Sequence, residues 1–153
     1  MAKALRDNEV LTELDLSLNY IGPEGATAIA KALRFNQVLS HLNLRNNKIG
    51  TEGSEAIGQA LMVNNVLTTL DLSYNFVGPQ LGIAIAEALK ANTTLLRLDV
   101  GANDIGDVGA TAMVKAIRIH PALTCLRLPY NNINGDVKQA LQAVARHRFQ
   151  VQI

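Results

Sequence analysis

Leucines recur along the chain in a fixed pattern, in which two of them are separated by one residue and followed by an asparagine. The pattern L-x-x-L-x-L-x-x-N begins at Leu11 and returns every 28 residues, at Leu39, Leu67 and Leu95, with a shortened repeat from Leu123. Alternation of apolar residues over a few positions is typical of a short strand with one buried face. The sequence therefore predicts five short strands, one in each repeat.

The second part of each repeat has apolar residues at helical spacing. In the first full repeat these residues are Ile29, Ala32 and Leu33, and equivalent residues follow in the next three repeats. Each helix pattern is preceded by a glycine, which suits a turn with unusual backbone angles, at positions 22, 50, 78 and 106. Each full repeat is therefore predicted to be a strand, a turn and a helix.

The asparagine that follows each strand is not explained by apolar packing. Its amide has two donor hydrogens and an acceptor oxygen, so it can satisfy backbone groups where the chain turns away from the strand. Stacking of the repeats would align these residues in a ladder, whose members are Asn19, Asn47, Asn75, Asn103 and Asn131.

The repeats extend over the whole chain, so we expect residues 1–153 to form a single domain. Its predicted divisions are a partial repeat at 1–10, full repeats at 11–38, 39–66, 67–94 and 95–122, and a terminal repeat with a C-terminal cap at 123–153. Phe149, Val151 and Ile153 alternate with glutamines, which predicts a last short strand that closes the C-terminal end.

The N-terminal end has no comparable capping segment. We expect Leu5, Leu11, Leu14 and Leu16 to be partly exposed at that end. Exposed apolar side chains beside an unpaired strand edge attract another chain. The sequence therefore predicts possible self-association through residues 1–20.

Composition argues against several other kinds of partner. The net charge of +1 gives no basic surface for nucleic acid, and the longest apolar runs are too short for a membrane span. The one cysteine, Cys125, cannot form an internal disulfide, and the first residues lack the apolar region of a signal peptide. We therefore expect a cytoplasmic protein that binds neither nucleic acid nor membranes.

Asn92 begins a glycosylation sequon, but the equivalent asparagines at 8, 36 and 64 do not, so we do not expect glycosylation.

The five strand patterns, their 28-residue period and the helix in each repeat resemble the leucine-rich repeat family. The helix pattern I-G-x-x-G-a-x-x-I-a-x-a-L resembles the ribonuclease-inhibitor-like subfamily, and it is most similar to the C-terminal repeats of NOD-like receptors. The Ran GTPase-activating protein has similar repeats. This resemblance implies an α/β fold, a right-handed horseshoe-shaped solenoid with parallel strands inside and helices outside. It also implies an intracellular protein-binding surface.

In such a horseshoe the variable strand positions face the concave surface. The candidate partner-binding residues on and beside it are Glu13, Asp15, His41, Arg45, Asp71, Tyr74, Arg97, Asp99, Arg127 and Tyr130. Neighbouring strands lie ~4.8 Å apart, so Asp71 and Asp99 are expected to form a like-charged pair beside Arg97 and Arg127. This cluster is either a recognition patch for a basic group or a solvated face with local ion pairs. The two tyrosines are either interface anchors or residues packed against the loops.

We expect no catalytic, cofactor or metal site, because no histidine, cysteine or carboxylate set converges at the spacing that such sites need. The sequence predicts a protein–protein recognition module that binds through its concave face and is part of a larger intracellular sensor or scaffold. Three alternatives stay open at this point: a GTPase-activating or other regulatory repeat protein, a bacterial effector, and a purely structural array.

Overall fold

A computed structural model of the protein describes residues 2–153, apart from the side chain of His147. Its helices are α1 (Ala2–Arg6), α2 (Gly22–Leu33), α3 (Gly50–Leu61), α4 (Pro79–Ala91), α5 (Gly106–Ile117) and α6 (Gly135–Ala145). Its strands are β1 (Glu13–Asp15), β2 (His41–Asn43), β3 (Thr69–Asp71), β4 (Arg97–Asp99), β5 (Cys125–Arg127) and β6 (Gln150–Gln152). A 3-10 helix, Arg146–Arg148, joins α6 to β6.

The six strands form one parallel sheet in chain order, from β1 to β6. In strands β1 to β4, each residue pairs with the residue 28 positions later in the next strand. For example, Leu42 pairs with Leu70. A parallel neighbour requires a crossover connection, and the helix of each repeat supplies it. The predicted α/β repeat solenoid is therefore confirmed.

The core lies between the sheet and the layer of helices. The middle leucine of β2 to β5 is at most 2% exposed, and the helix residues Ile29, Ile57, Ile85 and Met113 are fully buried. The helices approach one another closely because small residues lie where they meet. A methyl group added at Gly82 would lie 2.7 Å from the Cα atom of Gly109. The array therefore leaves no room for side chains at this crossing of α4 and α5.

The predicted asparagine ladder is confirmed, and Asn75 shows its geometry. Its amide nitrogen donates to the carbonyl of Leu72 at 2.7 Å and to that of Leu44, in the preceding repeat, at 3.1 Å. Its oxygen accepts from the backbone N–H of Asn47 at 2.9 Å. Each inner asparagine therefore pairs backbone groups of two successive repeats.

A second ladder, which the sequence analysis missed, lies where each helix turns back toward the next strand. The amide nitrogen of Asn92 donates to the carbonyl of Leu61 at 2.8 Å, and its oxygen accepts from the N–H of Leu95 at 2.9 Å. Asn64 and Asn36 make the equivalent bonds one and two repeats earlier, respectively. Asn92, the sequon asparagine, is 4% exposed in the folded chain, and its amide is engaged in these bonds.

The last two positions of this second ladder are taken by other residues. Twenty-eight residues after Asn92, Nδ1 of His120 accepts a hydrogen bond from the backbone N–H of Leu123 at 3.1 Å. Twenty-eight residues later the guanidinium of Arg148 donates to the carbonyl of His120 at 2.7 Å and to that of Ile117 at 3.2 Å. The 3-10 helix and Arg148 thus complete the backbone pairing of the last full repeat.

The two ends of the sheet differ. At the C-terminal end β6 pairs with β5, so the predicted last strand is confirmed. At the other end Leu11 is 45% exposed, and Leu14 and Leu16 are half-buried. The expectation for Leu5 was wrong: it is 4% exposed, because α1 packs against α2 and buries it. The division of the chain into one domain with the repeat boundaries given above stays a prediction.

The first prediction concerns the first ladder. Replacing Asn75 by alanine leaves buried backbone groups of two repeats unpaired, at about 1–3 kcal/mol for each group. We expect Asn75→Ala to lower the free energy of unfolding by about 3 kcal/mol or more, as measured by urea denaturation. The control, Thr68→Ala, removes one part-buried hydroxyl bond to the carbonyl of Ser40. Equal and small shifts of the two midpoints would mean that the ladder contributes little.

The second prediction concerns His120. Burial first, and then the charge of Arg148, lower the pKa of this imidazole below its ordinary value of 6.5. A group with a depressed folded-state pKa binds its proton more readily in the unfolded chain, so its effect on stability appears as the pH falls below about 6.5. We expect His120→Asn to reduce the loss of stability between pH 7 and pH 5, because an amide fits the ladder without titrating.

Urea midpoints at several pH values between 7 and 5 measure this effect. His41→Asn is the matched control, since His41 is exposed and belongs to neither ladder. An unchanged pH profile in the His120→Asn variant would contradict the assignment.

Candidate functional site

Each strand directs its middle residue toward the helices and its two flanking residues to the opposite face of the sheet, which we call the open face. The register aligns the flanking residues in two rows. One row is Glu13, His41, Thr69, Arg97 and Cys125, and the other is Asp15, Asn43, Asp71, Asp99 and Arg127. All ten residues are exposed or half-buried, so they are accessible to a partner.

Asp71 and Asp99 lie side by side in the centre of the open face. One oxygen of each carboxylate accepts a local backbone N–H, that of Ser73 at 2.8 Å and that of Gly101 at 2.9 Å. The other oxygen of Asp99 pairs with Nε of Arg127 at 3.0 Å. The predicted carboxylate pair with a flanking arginine is therefore present in the structure.

The environment of Asp99 raises the pKa of its carboxyl group above the ordinary value. Burial is the main cause, and repulsion from Asp71 adds to it. The N–H of Gly101 and the charges of Arg127 and Arg45 act in the opposite direction without cancelling the effect. Burial beside a second carboxylate therefore disfavours the charged form of Asp99, although Arg127 contacts it directly.

Arg45 connects the open face with the loops at its edge. Its guanidinium lies 4.0 Å from the centre of the Tyr74 ring, and Nη1 donates to Oγ of Ser73 at 3.1 Å. Arg45 and Tyr74 are both predicted site residues, but their contact, which spans two repeats, is not evident in the sequence. The structure thus brings together Arg45, Asp71, Tyr74, Asp99 and Arg127, and we call these five residues the central cluster.

The other candidate residues lie outside the central cluster. Glu13, Asp15 and His41 border a shallow cavity of about 320 Å³ across β1 to β3. The pKa of Asp15 is lowered, mainly because its carboxylate accepts the backbone N–H of Ser17. Arg97 forms no ion pair with the described residues, in contrast to Arg127. Tyr130 lies at the edge of the sheet and is 77% exposed.

The loops from strand to helix form a second surface. In each of the five strand-to-helix loops, two non-glycine residues have positive φ angles. One lies directly before the asparagine of the first ladder and the other directly after it. They are Leu18, Tyr20, Asn46, Lys48, Tyr74, Phe76, Ala102, Asp104, Tyr130 and Asn132, with φ between 50° and 61°. We call these ten residues the loop edge. Only Tyr74 and Tyr130 of this set were among the predicted site residues.

A left-handed backbone is unfavourable for bulky side chains and is tolerated best by glycine, asparagine and aspartate. A residue held in such a region costs about 1–3 kcal/mol. At the loop edge this cost is not recovered by burial, because Tyr20 and Tyr130 are each 77% exposed and Phe76 is 67% exposed. The sequence signal for this surface is an aromatic residue next to the ladder asparagine. Tyr74 and Tyr130 come directly before that asparagine, and Tyr20 and Phe76 come directly after it.

Several kinds of site are not found. Among residues 2–153 there is no group of three or more histidine, cysteine, aspartate or glutamate side chains placed to hold a metal ion, the unplaced imidazole of His147 being left aside. No helix of the described chain is long and apolar enough to cross a membrane.

Comparison with known proteins gives a consistent result for the fold. The model of the leucine-rich repeat family matches residues 7–30, 35–58, 63–86 and 91–114. No curated protein sequence matches the chain.

Several solved structures are similar. Actin-binding site 2 of leiomodin-1 has a TM-score of 0.83 and 22% identity, over 94% of this chain and 84% of that one. The C-terminal domain of tropomodulin from Caenorhabditis elegans has a TM-score of 0.77 and 14% identity, over 94% and 87%. The leucine-rich repeat-containing protein LegL7 from Legionella pneumophila has a TM-score of 0.65 and 23% identity, over 94% and 47%. At these identities the likeness shows the fold.

The third prediction tests the electrostatics of the central cluster. Replacing Asp71 by asparagine removes a negative charge beside Asp99, so we expect the pKa of Asp99 to fall. Replacing Arg127 by glutamine removes its ion-pair partner, so we expect that pKa to rise. Carbon-detected NMR titration of the Asp99 carboxyl group measures both shifts. Glu13→Gln, two strands away from β3 in the same sheet, should leave the titration unchanged, and a shift as large as that of Asp71→Asn would contradict the local pairing.

Proposed function

Since the chain belongs to the leucine-rich repeat family, we propose that it is a protein-recognition module that binds a protein partner through the open face of its sheet. The proposal rests above all on the central cluster. Asp71 and Asp99 are held side by side and half-buried, and two carboxylates at ~5 Å repel by roughly 1 kcal/mol even in water. The repeat pattern does not require carboxylates at these positions, since Asn43 takes the same place in β2.

A basic group of a partner would relieve this repulsion. It would approach the oxygen of Asp71 that does not accept the Ser73 N–H, between Arg45 on one side and Arg127 on the other. These two arginines limit the size and orientation of what can enter, so they contribute selectivity rather than affinity alone. The ring of Tyr74, already in contact with Arg45, offers an apolar wall next to this site.

The similar structures suggest a first partner to test. One of them is described as actin-binding site 2 of leiomodin-1, and the region of likeness extends over most of both chains. Actin is therefore the first protein whose binding we would examine, although an identity of 22% carries the fold and not the interface.

Finer aspects of the proposal come from the sequence. The repeats resemble the C-terminal repeats of NOD-like receptors of the ribonuclease-inhibitor-like type, and on this basis we place the module in the cytoplasm, within a larger sensor or scaffold. In this role the chain binds and does not catalyse, without a cofactor, and its partner is a protein rather than nucleic acid or a membrane. Self-association through residues 1–20 stays a prediction. A GTPase-activating or other regulatory role, a bacterial effector and a purely structural array stay alternatives.

The fourth prediction tests binding through the open face. Asp71→Lys combined with Tyr74→Ala reverses one charge of the central cluster and removes its aromatic wall. We expect this double variant to lose roughly tenfold or more in affinity for the partner, as is usual when central interface residues are changed. Co-sedimentation with actin filaments is the first measurement. If actin is not bound, quantitative capture from cell extract identifies the protein to be used.

The matched control changes the outer surface of a helix. Glu87 and Lys90 form an exposed ion pair of 2.6 Å on α4, and the variant Glu87→Gln with Lys90→Gln should bind normally. Undiminished binding by the open-face variant, together with loss in the helix variant, would place the interface on the helices instead. Stimulated GTP hydrolysis by a small GTPase in the presence of the chain would favour the regulatory alternative.

A further inference from the structure

Burial does not explain the exposed aromatic residues of the loop edge, Tyr20, Phe76 and Tyr130. The repeats themselves show which residues suit these positions. Asn46 takes the place of Tyr130 in the second repeat, and Asn132 takes the place of Phe76 in the fifth. Asparagine tolerates the left-handed backbone better than an aromatic residue does. Retention of exposed aromatic rings at strained positions therefore points to contact with another molecule.

Aromatic residues are also concentrated at this edge. The chain has three tyrosines and no tryptophan, and all three tyrosines, Tyr20, Tyr74 and Tyr130, belong to the loop edge. The opposite edge, where the helices end, also exposes apolar side chains, such as Ile119 at 66%. That residue, however, is not among those with a positive φ angle. The two edges therefore differ in backbone strain, not in exposure alone.

The charges around the loop edge are mainly negative. The first turns of α2, α3, α5 and α6 carry acidic side chains, whereas that of α4, which follows Phe76, has none. Asp104 belongs to the edge itself. The first-turn residues are Glu24, Glu52, Asp107 and Asp136. Interaction with the helix dipole explains why first turns are acidic. An approaching segment nevertheless meets these carboxylates beside the rings, and the cations near the edge are Arg45, Lys48 and Lys138.

Two rings of the edge already bind cations of the chain. Nζ of Lys48 lies 4.7 Å from the centre of the Tyr20 ring, and the guanidinium of Arg45 lies 4.0 Å from that of Tyr74. Within residues 2–153 no lysine or arginine with a described side chain stacks on Phe76 or Tyr130. These two rings are therefore available to a cation from outside.

We infer that the loop edge is a docking surface for an arginine-rich segment of a partner protein. Its guanidinium groups stack on Phe76 and Tyr130 and pair with the carboxylates of the neighbouring helix starts. Guanidinium is the cation best suited to this surface, because it is planar, stacks on aromatic rings and donates to carboxylates at the same time. Tyr74 belongs to this surface and also to the central cluster of the open face, whereas Phe76 and Tyr130 belong to the loop edge alone. Variants of Phe76 and Tyr130 therefore test this inference independently of the proposed function.

The test uses the full chain and three synthetic peptides of twelve residues, in which serine alternates with arginine, lysine or glutamate. Binding is measured by anisotropy of a fluorescent label on the peptide. The intrinsic tyrosine fluorescence of the chain reports on contacts of Tyr20, Tyr74 and Tyr130, of which Tyr74 also belongs to the central cluster. We expect saturable binding of the arginine peptide with a change in tyrosine emission, weaker binding of the lysine peptide, and none of the glutamate peptide.

The decisive variant is Phe76→Asn with Tyr130→Asn, which introduces the residue that other repeats carry at the same positions. We expect it to weaken binding of the arginine peptide by roughly tenfold or more. We also expect its melting temperature to be unchanged or higher, because the strain of the bulky side chains is removed. Ile119→Asn is the matched control for the loss of an exposed apolar side chain, and it should change the affinity by less than about twofold.

Four results would overturn the inference. They are absence of saturable binding of the arginine peptide, equal binding by the double variant, a lower melting temperature of that variant, and preferential binding of a different probe. The different probes are the glutamate peptide, a thymidine oligonucleotide and vesicles that contain phosphatidylserine. A lower melting temperature would show that the rings serve the fold, and preference for the oligonucleotide would indicate stacking of bases instead.

Discussion

The structure depends on how buried backbone groups are paired in very short elements. Each strand is three residues long, and the chain turns sharply on both sides of it. Turns of this kind would leave N–H and C=O groups unpaired in the interior, and each such group would cost about 1–3 kcal/mol. Asparagine side chains solve this problem on both sides, with one ladder after the strands and another after the helices.

The ladders also fix the relation between successive repeats. Asn75 binds carbonyl groups of its own repeat and of the one before, while its oxygen accepts from Asn47 in that earlier repeat. Each repeat is therefore held by side chains of its neighbour as well as by the sheet. Where the second ladder reaches His120 and Arg148, an imidazole and a guanidinium supply the same kind of bonds, and burial lowers the pKa of the imidazole.

Because leucines, asparagines and small helix residues carry the fold, the remaining positions are free to vary. Two sets of such positions stand out: the open face with Asp71 and Asp99, and the loop edge with Phe76 and Tyr130. In both, the residues present are less favourable for folding than residues found at the same place in another repeat. Asn43 would avoid the repulsion of two carboxylates, and Asn132 would avoid the strain of a bulky left-handed residue. Surfaces that retain such residues are candidates for recognition.

The sequence by itself determined the repeating unit, because a 28-residue period, a strand pattern and a helix pattern are local and appear several times. It also determined the first ladder, since a polar residue at a fixed place after each strand has few other uses. The asparagines of the second ladder also recur every 28 residues, but the sequence did not reveal their bonds between repeats or the replacement of asparagine by His120 and Arg148 in the same role. The tertiary structure alone decided the contacts between repeats, such as that of Arg45 with Tyr74. The tertiary structure also decided the burial of Leu5, which depends on the packing of α1 against α2. It alone decided the left-handed backbone of the loop edge, because the ladder imposes that geometry on whatever residue is present.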